Sequence, residues 1–289
     1  MKNVALVILF AVSLIVNPSM ASDKKGDEEL LVQSLNGQFT QGGLVIGQAK
    51  PGSKVEFEGE AIKVSDDGYF VFGFHRDMPE RATLKVFHDD QSETHALTIA
   101  KREYKIERID GLPPSKVTPR KPEVLERIKK ETALVVKARA DITDFQYFMQ
   151  DFIWPAKGRL SGFYGSQRIL NGDPKRPHFG VDVAAPTGTE VVAPADGVVR
   201  LVHPDMYFSG GTIIIDHGFG VNSTFLHLSS VDVEVGQPVK QGDFIGRIGA
   251  TGRATGPHLD WRINWLSHRL DPQLLVPPFE ETDIKNKSK

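Results

Sequence analysis

The chain has 289 residues, which is room for two modest domains. Hydrophobic residues make up 40% of it and charged residues 25%, as in ordinary folded chains, and a formal net charge of -2 excludes a global electrostatic pull toward nucleic acid. There is no cysteine, so disulfides, a lipid-modified cysteine and a thiolate metal site are all ruled out, and any metal must be held by His, Asp or Glu.

At the N-terminus Lys2 precedes an apolar run over residues 4–16, followed by Pro18 and Ser19-Met20-Ala21. A cationic start, a short apolar core and an A-x-A-like end make a secretory signal peptide over residues 1–21, cleaved after Ala21. The apolar run is too short for a spanning helix, which needs roughly 20 residues, so no stable membrane insertion is expected after cleavage.

Residues 22–29 are polar. Residues 30–105 alternate apolar and polar side chains, interrupted by the turn signals Lys50-Pro51-Gly52 and Asp66-Asp67-Gly68. About seven short strands at this spacing predict a small immunoglobulin-like sandwich, a binding or regulatory module without catalytic side chains. Pro113, Pro114, Pro119 and Pro122 open a linker over 106–153. A helix is expected to start at Pro122, with Val124, Ile128, Leu134 and Val135 on its apolar face. The aromatic segment 144–154 should pack one domain against the next. It lacks the interleaved basic residues that nucleic-acid stacking needs. Residues 154–275 return to glycine-punctuated β structure without helical periodicity, and 276–289 form a polar tail. The fold class expected is all-β: an immunoglobulin-like β-sandwich, a helical linker and a C-terminal antiparallel β-sheet domain.

Three of the nine histidines sit beside the glycine-rich strands of this last domain, with two aspartates placed to join them. "HFGVD" supplies His178 and Asp182, "FLHLS" supplies His227, and "GPHLDW" supplies His258 and Asp260. On a strand, His258 and Asp260 share one face while Leu259 and Trp261 turn to the core. A catalytic zinc keeps three protein ligands and one open position. His178, Asp182 and Asp260 would be those ligands, leaving His227 and His258 for proton transfer and oxyanion stabilisation.

The segment over 154–265 resembles the lysostaphin-type (LytM-like) zinc metallopeptidases through "GRLSGFYGSQR", "PHFGVDVAAPTGTEVVAPADGVV", "GGTIIIDHGFGVNSTFLHLS" and "VEVGQPVKQGDFIGRIGATGRATGPHLDW". The resemblance implies a compact antiparallel sheet with the metal in a groove across one face. His178 and Asp182 match the first two zinc ligands. His227 matches the catalytic histidine of the "HLS" segment, and His258 matches the first, catalytic histidine of a His-x-His motif. Asp260 stands where that motif's second histidine, the third ligand, is expected. An aspartate oxygen can take nearly the place of that ring nitrogen, and zinc accepts carboxylate. Counting ligands alone, a His-Asp-Asp set neutralises zinc, which predicts a less acidic water and a raised pH optimum.

The implied function is that of a zinc-dependent endopeptidase hydrolysing peptide cross-links of bacterial peptidoglycan. Peptidoglycan stem peptides would be its partners, and the location exported and periplasmic. His258 is expected as general base and His227 as stabiliser of the intermediate, although the two roles can be exchanged. The alternative is a catalytically inactive LytM-like regulator that binds and activates a cell-wall amidase. Outside the motifs, His203 and His268 read as surface residues and His217 as part of a tight turn. Arg168 and Asn171 lie near the groove and read equally as substrate contacts or loop structure. Nothing in the sequence fixes an oligomeric state.

Overall fold

The computed structural model describes residues 30–280. The signal-peptide reading and the end of the polar tail lie outside the described residues. Among the described residues no helix is long and apolar enough to cross a membrane.

The chain opens with seven strands: β1 (Val32–Gly37), β2 (Leu44–Ala49), β3 (Lys54–Phe57), β4 (Glu60–Ile62), β5 (Tyr69–Gly73), β6 (Arg81–His88) and β7 (Gln91–Thr98). They form two antiparallel sheets, ordered β1-β2-β5 and β4-β3-β6-β7. Alternation supplies the core between them: along β6, Ala82, Leu84 and Val86 point inward while Arg81 and Lys85 point out. Phe57 of one sheet stacks on Phe72 of the other at 4.8 Å between ring centroids, the face-to-face packing of the expected immunoglobulin-like sandwich. Gly47 lies over the Phe70 ring, where a Cβ would sit 2.2 Å from the ring edge.

Strand β8 (Ile106–Ile109) and the single-turn α1 (Pro114–Val117) lead to α2 (Pro122–Ala138), which starts at Pro122. Proline suits this first position because its missing N–H would have no intrahelical acceptor. The inward stripe of α2 is Val124, Ile128, Val135 and Ala138. Leu134, expected on the apolar face, is 42% exposed because it lies off that 3.6-residue period. Val135 and Ala138 pack on Leu201, Met206 and Ile214.

The C-terminal strands are β9 (Arg159–Gly162), β10 (Gln167–Leu170), β11 (Asp173–Pro174), β12 (Val181–Ala184), β13 (Glu190–Val192), β14 (Gly197–Met206), β15 (Gly210–Gly218), β16 (Val221–Val231), β17 (Pro238–Val239), β18 (Phe244–Ile248), β19 (His258–Trp265) and β20 (His268–Leu270). Ten of them build one sheet along the path β17-β14-β15-β16-β19-β12-β9, with β13, β18 and β20 attached beside it. Its pairings are antiparallel. Strand β8, at the start of the expected linker, instead pairs in parallel with β10.

The aromatic segment packs chiefly on this large sheet. Phe148 meets Phe219, Phe152 meets His217, and Trp154 meets Trp261 at 5.8 Å. Its link to the sandwich is polar, a 2.6 Å ion pair between Asp144 and Lys63. Sandwich and sheet also share one apolar cluster, in which Phe57 faces Trp265 at 6.0 Å. His268, expected on the surface, donates from Nδ1 to the Gly73 carbonyl at 3.0 Å. His217, expected in a tight turn, is buried on β15 between the Asp196 carbonyl and the Ser223 hydroxyl.

Candidate metal centre and active site

Strands β12 and β19 lie side by side toward the β9 edge of the large sheet, with Asp182 directly opposite Asp260. On β19 the alternation is that expected: Leu259 and Trp261 are fully buried in the core, and His258 and Asp260 share the other face. On β12, Val181 and Val183 fill the core and Asp182 faces the groove. His178 precedes β12, held by backbone bonds to both Gly165 and Ser166.

Two glycines create the space for this pair of carboxylates. A Cβ on Gly162 would sit 2.2 Å from Asp182 Oδ2, and one on Gly180 would sit 2.5 Å from Asp260 Oδ1. Both positions need a missing side chain rather than an unusual backbone.

One ligand atom from each of His178, Asp182 and Asp260 lies within 4.8 Å of the others, and all three side chains are buried. His178 Nε2 is 3.1 Å from Asp182 Oδ1. Yet neither ring nitrogen of His178, nor that carboxylate oxygen, makes a hydrogen bond. Buried polar atoms left without partners cost roughly 1–3 kcal/mol each, so an orphaned nitrogen and oxygen facing a common point fit a metal ion.

Like charges directly opposite on neighbouring strands destabilise a sheet. Here each carboxylate has its own guanidinium. Arg262, two residues along β19 on the same face, donates from Nε to Asp260 Oδ1 at 2.9 Å and from Nη2 to Oδ2 at 2.6 Å. Arg168 of β10 donates from Nη2 to Asp182 Oδ2 at 2.9 Å. Burial alone would raise both carboxyl pKa values. His178 and Arg168 outweigh it at Asp182, and Arg262 with His178 at Asp260, so both stay below the usual carboxylate range. The charge count from ligands alone is therefore corrected: the two aspartates are already matched by two arginines, and the argument for a raised pH optimum falls away.

The rings of His227 and His258 stand beside this centre, 4.7 Å apart between centroids. His227, on β16, adopts φ +66°, a left-handed conformation that few non-glycine residues take. Its backbone N–H donates to Ser209 at 2.7 Å, and its Nδ1 lies 2.8 Å from the Thr251 carbonyl. His258 Nδ1 lies 2.9 Å from the Gly256 carbonyl. A carbonyl only accepts, so each Nδ1 carries the proton and each neutral ring keeps its lone pair at Nε2. Burial drives the His227 pKa down to about 4.

The five residues expected at the site are thus neighbours in space. Arg168 joins them, whereas Asn171 brackets the backbone of Leu112 and supports a loop. Arg262 was missed, although strand alternation carries its signal: position 262 must share a face with 258 and 260. Arg139, Arg253 and Arg269 also converge on this side of the sheet.

Residues 176–272 match the model of Peptidase family M23, so this stretch of the chain is an M23-type domain. Among curated relatives, the peptidoglycan DD-endopeptidase ShyA of Vibrio cholerae is 40% identical over 123 residues, covering 41% of this chain and 27% of that one. The DD-carboxypeptidase/endopeptidase Mpg of Neisseria meningitidis is 36% identical over 113 residues, covering 39% of this chain and 26% of that one. The matches therefore span about a quarter of those relatives' length. A solved structure from Pseudomonas aeruginosa described as an M23 peptidase is 29% identical, covers 83% of this chain and 95% of that one, and superposes with a TM-score of 0.65.

Proposed function

We propose that the protein is a zinc-dependent endopeptidase that hydrolyses peptide cross-links of bacterial peptidoglycan after export to the periplasm. The observation that carries this reading is the orphaned pair His178 and Asp182 facing Asp260, with two histidines alongside whose Nε2 atoms are free to accept a proton. The relatives named as DD-endopeptidases support peptidoglycan as substrate. His178, Asp182 and Asp260 would hold the zinc, with Asp260 shared between metal and Arg262. Bound zinc would supply Lewis-acid polarisation of the scissile carbonyl and a more acidic attacking water.

The remaining chemistry belongs to this chain's own side chains. His258, less buried than His227, is the better general base: its Nε2 takes the proton from the attacking water and returns it to the departing amine. His227 is the weaker base because burial disfavours its cation. It therefore stays neutral, and its Nε2 lone pair accepts a hydrogen bond from the second O–H of the attacking water, orienting the water and the tetrahedral intermediate it becomes without a proton being transferred. Arg168 and Arg262 fix the two aspartates in place. The module over 30–105 serves to position the domain over 154–275 on the wall, and residues 1–21 serve as the export signal.

The test is incubation of the purified protein with intact sacculi, followed by mass spectrometry of the muropeptides. Un-cross-linked peptides should be released, disappear with chelator and return with zinc. The bidentate hold of Arg262 on Asp260 favours one other reading, an inactive domain that activates a cell-wall amidase, because a guanidinium competes with a metal for the same oxygens. Absence of both release and stoichiometric zinc would select it.

A further inference from the structure

Beside the candidate centre lies a cavity of about 350 Å³ roofed by α2. His227 and Asp260 line it, so it is continuous with the site described above. Its walls carry Arg139, Arg168, Arg176, Arg253, Arg262 and Arg269. So dense a cluster of guanidiniums needs anions, and the carboxylates at hand are already committed. Arg262 is bound to Asp260, and Arg168 to Asp182. Glu131, the other carboxylate in the wall, accepts from Arg127 Nε at 2.6 Å and from the Tyr207 backbone N–H at 2.8 Å.

Arg139 and Arg269 rest on neutral oxygens instead. Arg139, just past the end of α2, donates from Nη2 to Thr224 Oγ1 at 2.6 Å, and its buried Nε has no partner. Arg269 of β20 donates from Nη1 to Asn264 Oδ1 at 2.9 Å. Strand pairing brings them together: Thr224 lies opposite Arg262, and Asn264 opposite Arg269. Burial, then Arg269 and Arg262, lower the Arg139 pKa to about 9, while burial, then Arg262 and Arg176, bring Arg269 to about 10. These are cations short of counter-charge, with donors still to place.

We infer that this cavity is a carboxylate-binding subsite of the peptidase groove, in which Arg139 and Arg269 take a free carboxylate of the peptide being cut. The inference rests on the peptidase reading and narrows its substrate to peptides carrying an uncapped carboxylate near the scissile bond. A bridge of neutral residues such as oligoglycine offers no such group.

The test uses the full-length protein and one stem-peptide muropeptide in two forms, with its carboxylates free or amidated. Binding of the monomer by calorimetry does not depend on hydrolysis, and cleavage of the corresponding dimers gives kcat and KM. Amidation should weaken binding by about tenfold or more, as loss of a charge-assisted bond does, and should raise KM more than it lowers kcat. Arg139→Gln and Arg269→Gln should each bring the free-to-amidated ratio toward one, and Arg139→Lys should restore part of it. Equal binding of both forms by the wild-type protein overturns the inference, as does a ratio unchanged in both glutamine variants. If both dimers are cut equally, the peptidase stands and the subsite falls. If neither is cut but binding still discriminates, the anion site stands and the peptidase reading falls.

Discussion

His227 and His258 face each other with ring centroids 4.7 Å apart and planes inclined by 49°, each pinned through Nδ1 to a backbone carbonyl. The pinning fixes the tautomer, so both rings bring a lone-pair nitrogen to the same side of the sheet. If these nitrogens deprotonate and orient the attacking water, replacing either histidine by alanine should lower turnover of a cross-linked muropeptide by about a hundred- to ten-thousand-fold. Zinc content, measured by elemental analysis, should stay the same, because neither ring is among the three proposed ligands. Loss of metal along with activity would reassign the altered histidine to the metal.

Gly180 gives a test of the centre that touches no ligand. In Gly180→Ala the new methyl meets Asp260 Oδ1 at 2.5 Å and the Trp261 carbonyl at 2.6 Å, so the carboxylate must move. Displacing a ligand's support typically costs ten- to a hundredfold in metal affinity, and about that loss is expected in competition against a chromogenic chelator. Unchanged affinity would show that Asp260 does not ligate.

Arg262 and a metal ion would compete for Asp260. Removing the guanidinium in Arg262→Met leaves Asp182 and Asp260 opposed on neighbouring strands with one compensating charge fewer. The rise in Tm between chelator-treated and zinc-loaded protein should therefore be larger in the variant than in the wild type. Equal rises would mean that metal and guanidinium do not share the carboxylate.

His217 makes stability depend on pH. Burial lowers its folded pKa to about 4 from an ordinary 6.5. Below pH 6.5 the unfolded chain takes up a proton that the folded chain refuses. The stabilisation is therefore complete above 6.5 and is lost as pH falls toward 4. Urea titrations at pH 7 and pH 5 should show a loss on the order of 2 kcal/mol attributable to this residue. In His217→Asn the two titrations should differ by correspondingly less, whatever the variant's absolute stability. A drop as large as that of the wild type would place the proton uptake elsewhere.

Much of the site could be read from residue order, because the features that carry it are local. Alternation along β19 fixes which side chains join His258, and turn signals mark where strands end. Arg168 comes to Asp182 through the pairing of β10 with β8, a contact that no short window of sequence contains. The roof over the cavity has the same origin: α2 has a clear period, but its partner on β14 is set by tertiary packing. Leu134 is a different case: its exposure follows from its offset from the 3.6-residue stripe of Val124, Ile128, Val135 and Ala138, which the sequence itself contains. Asn171 shows the converse. A polar residue near a groove suggests substrate binding, while its amide in fact satisfies the Leu112 backbone.

The Asp260–Arg262 pair also makes positions 260 and 262 a single unit rather than two independent ones. An aspartate at 260 without the arginine sets a second buried negative charge against Asp182. An arginine at 262 beside a histidine at 260 aims a buried cation at a metal and at the unprotected side of the groove. Because the two side chains share both hydrogen bonds, the effects of Asp260→His and Arg262→Met on stability should not add in a double-mutant cycle.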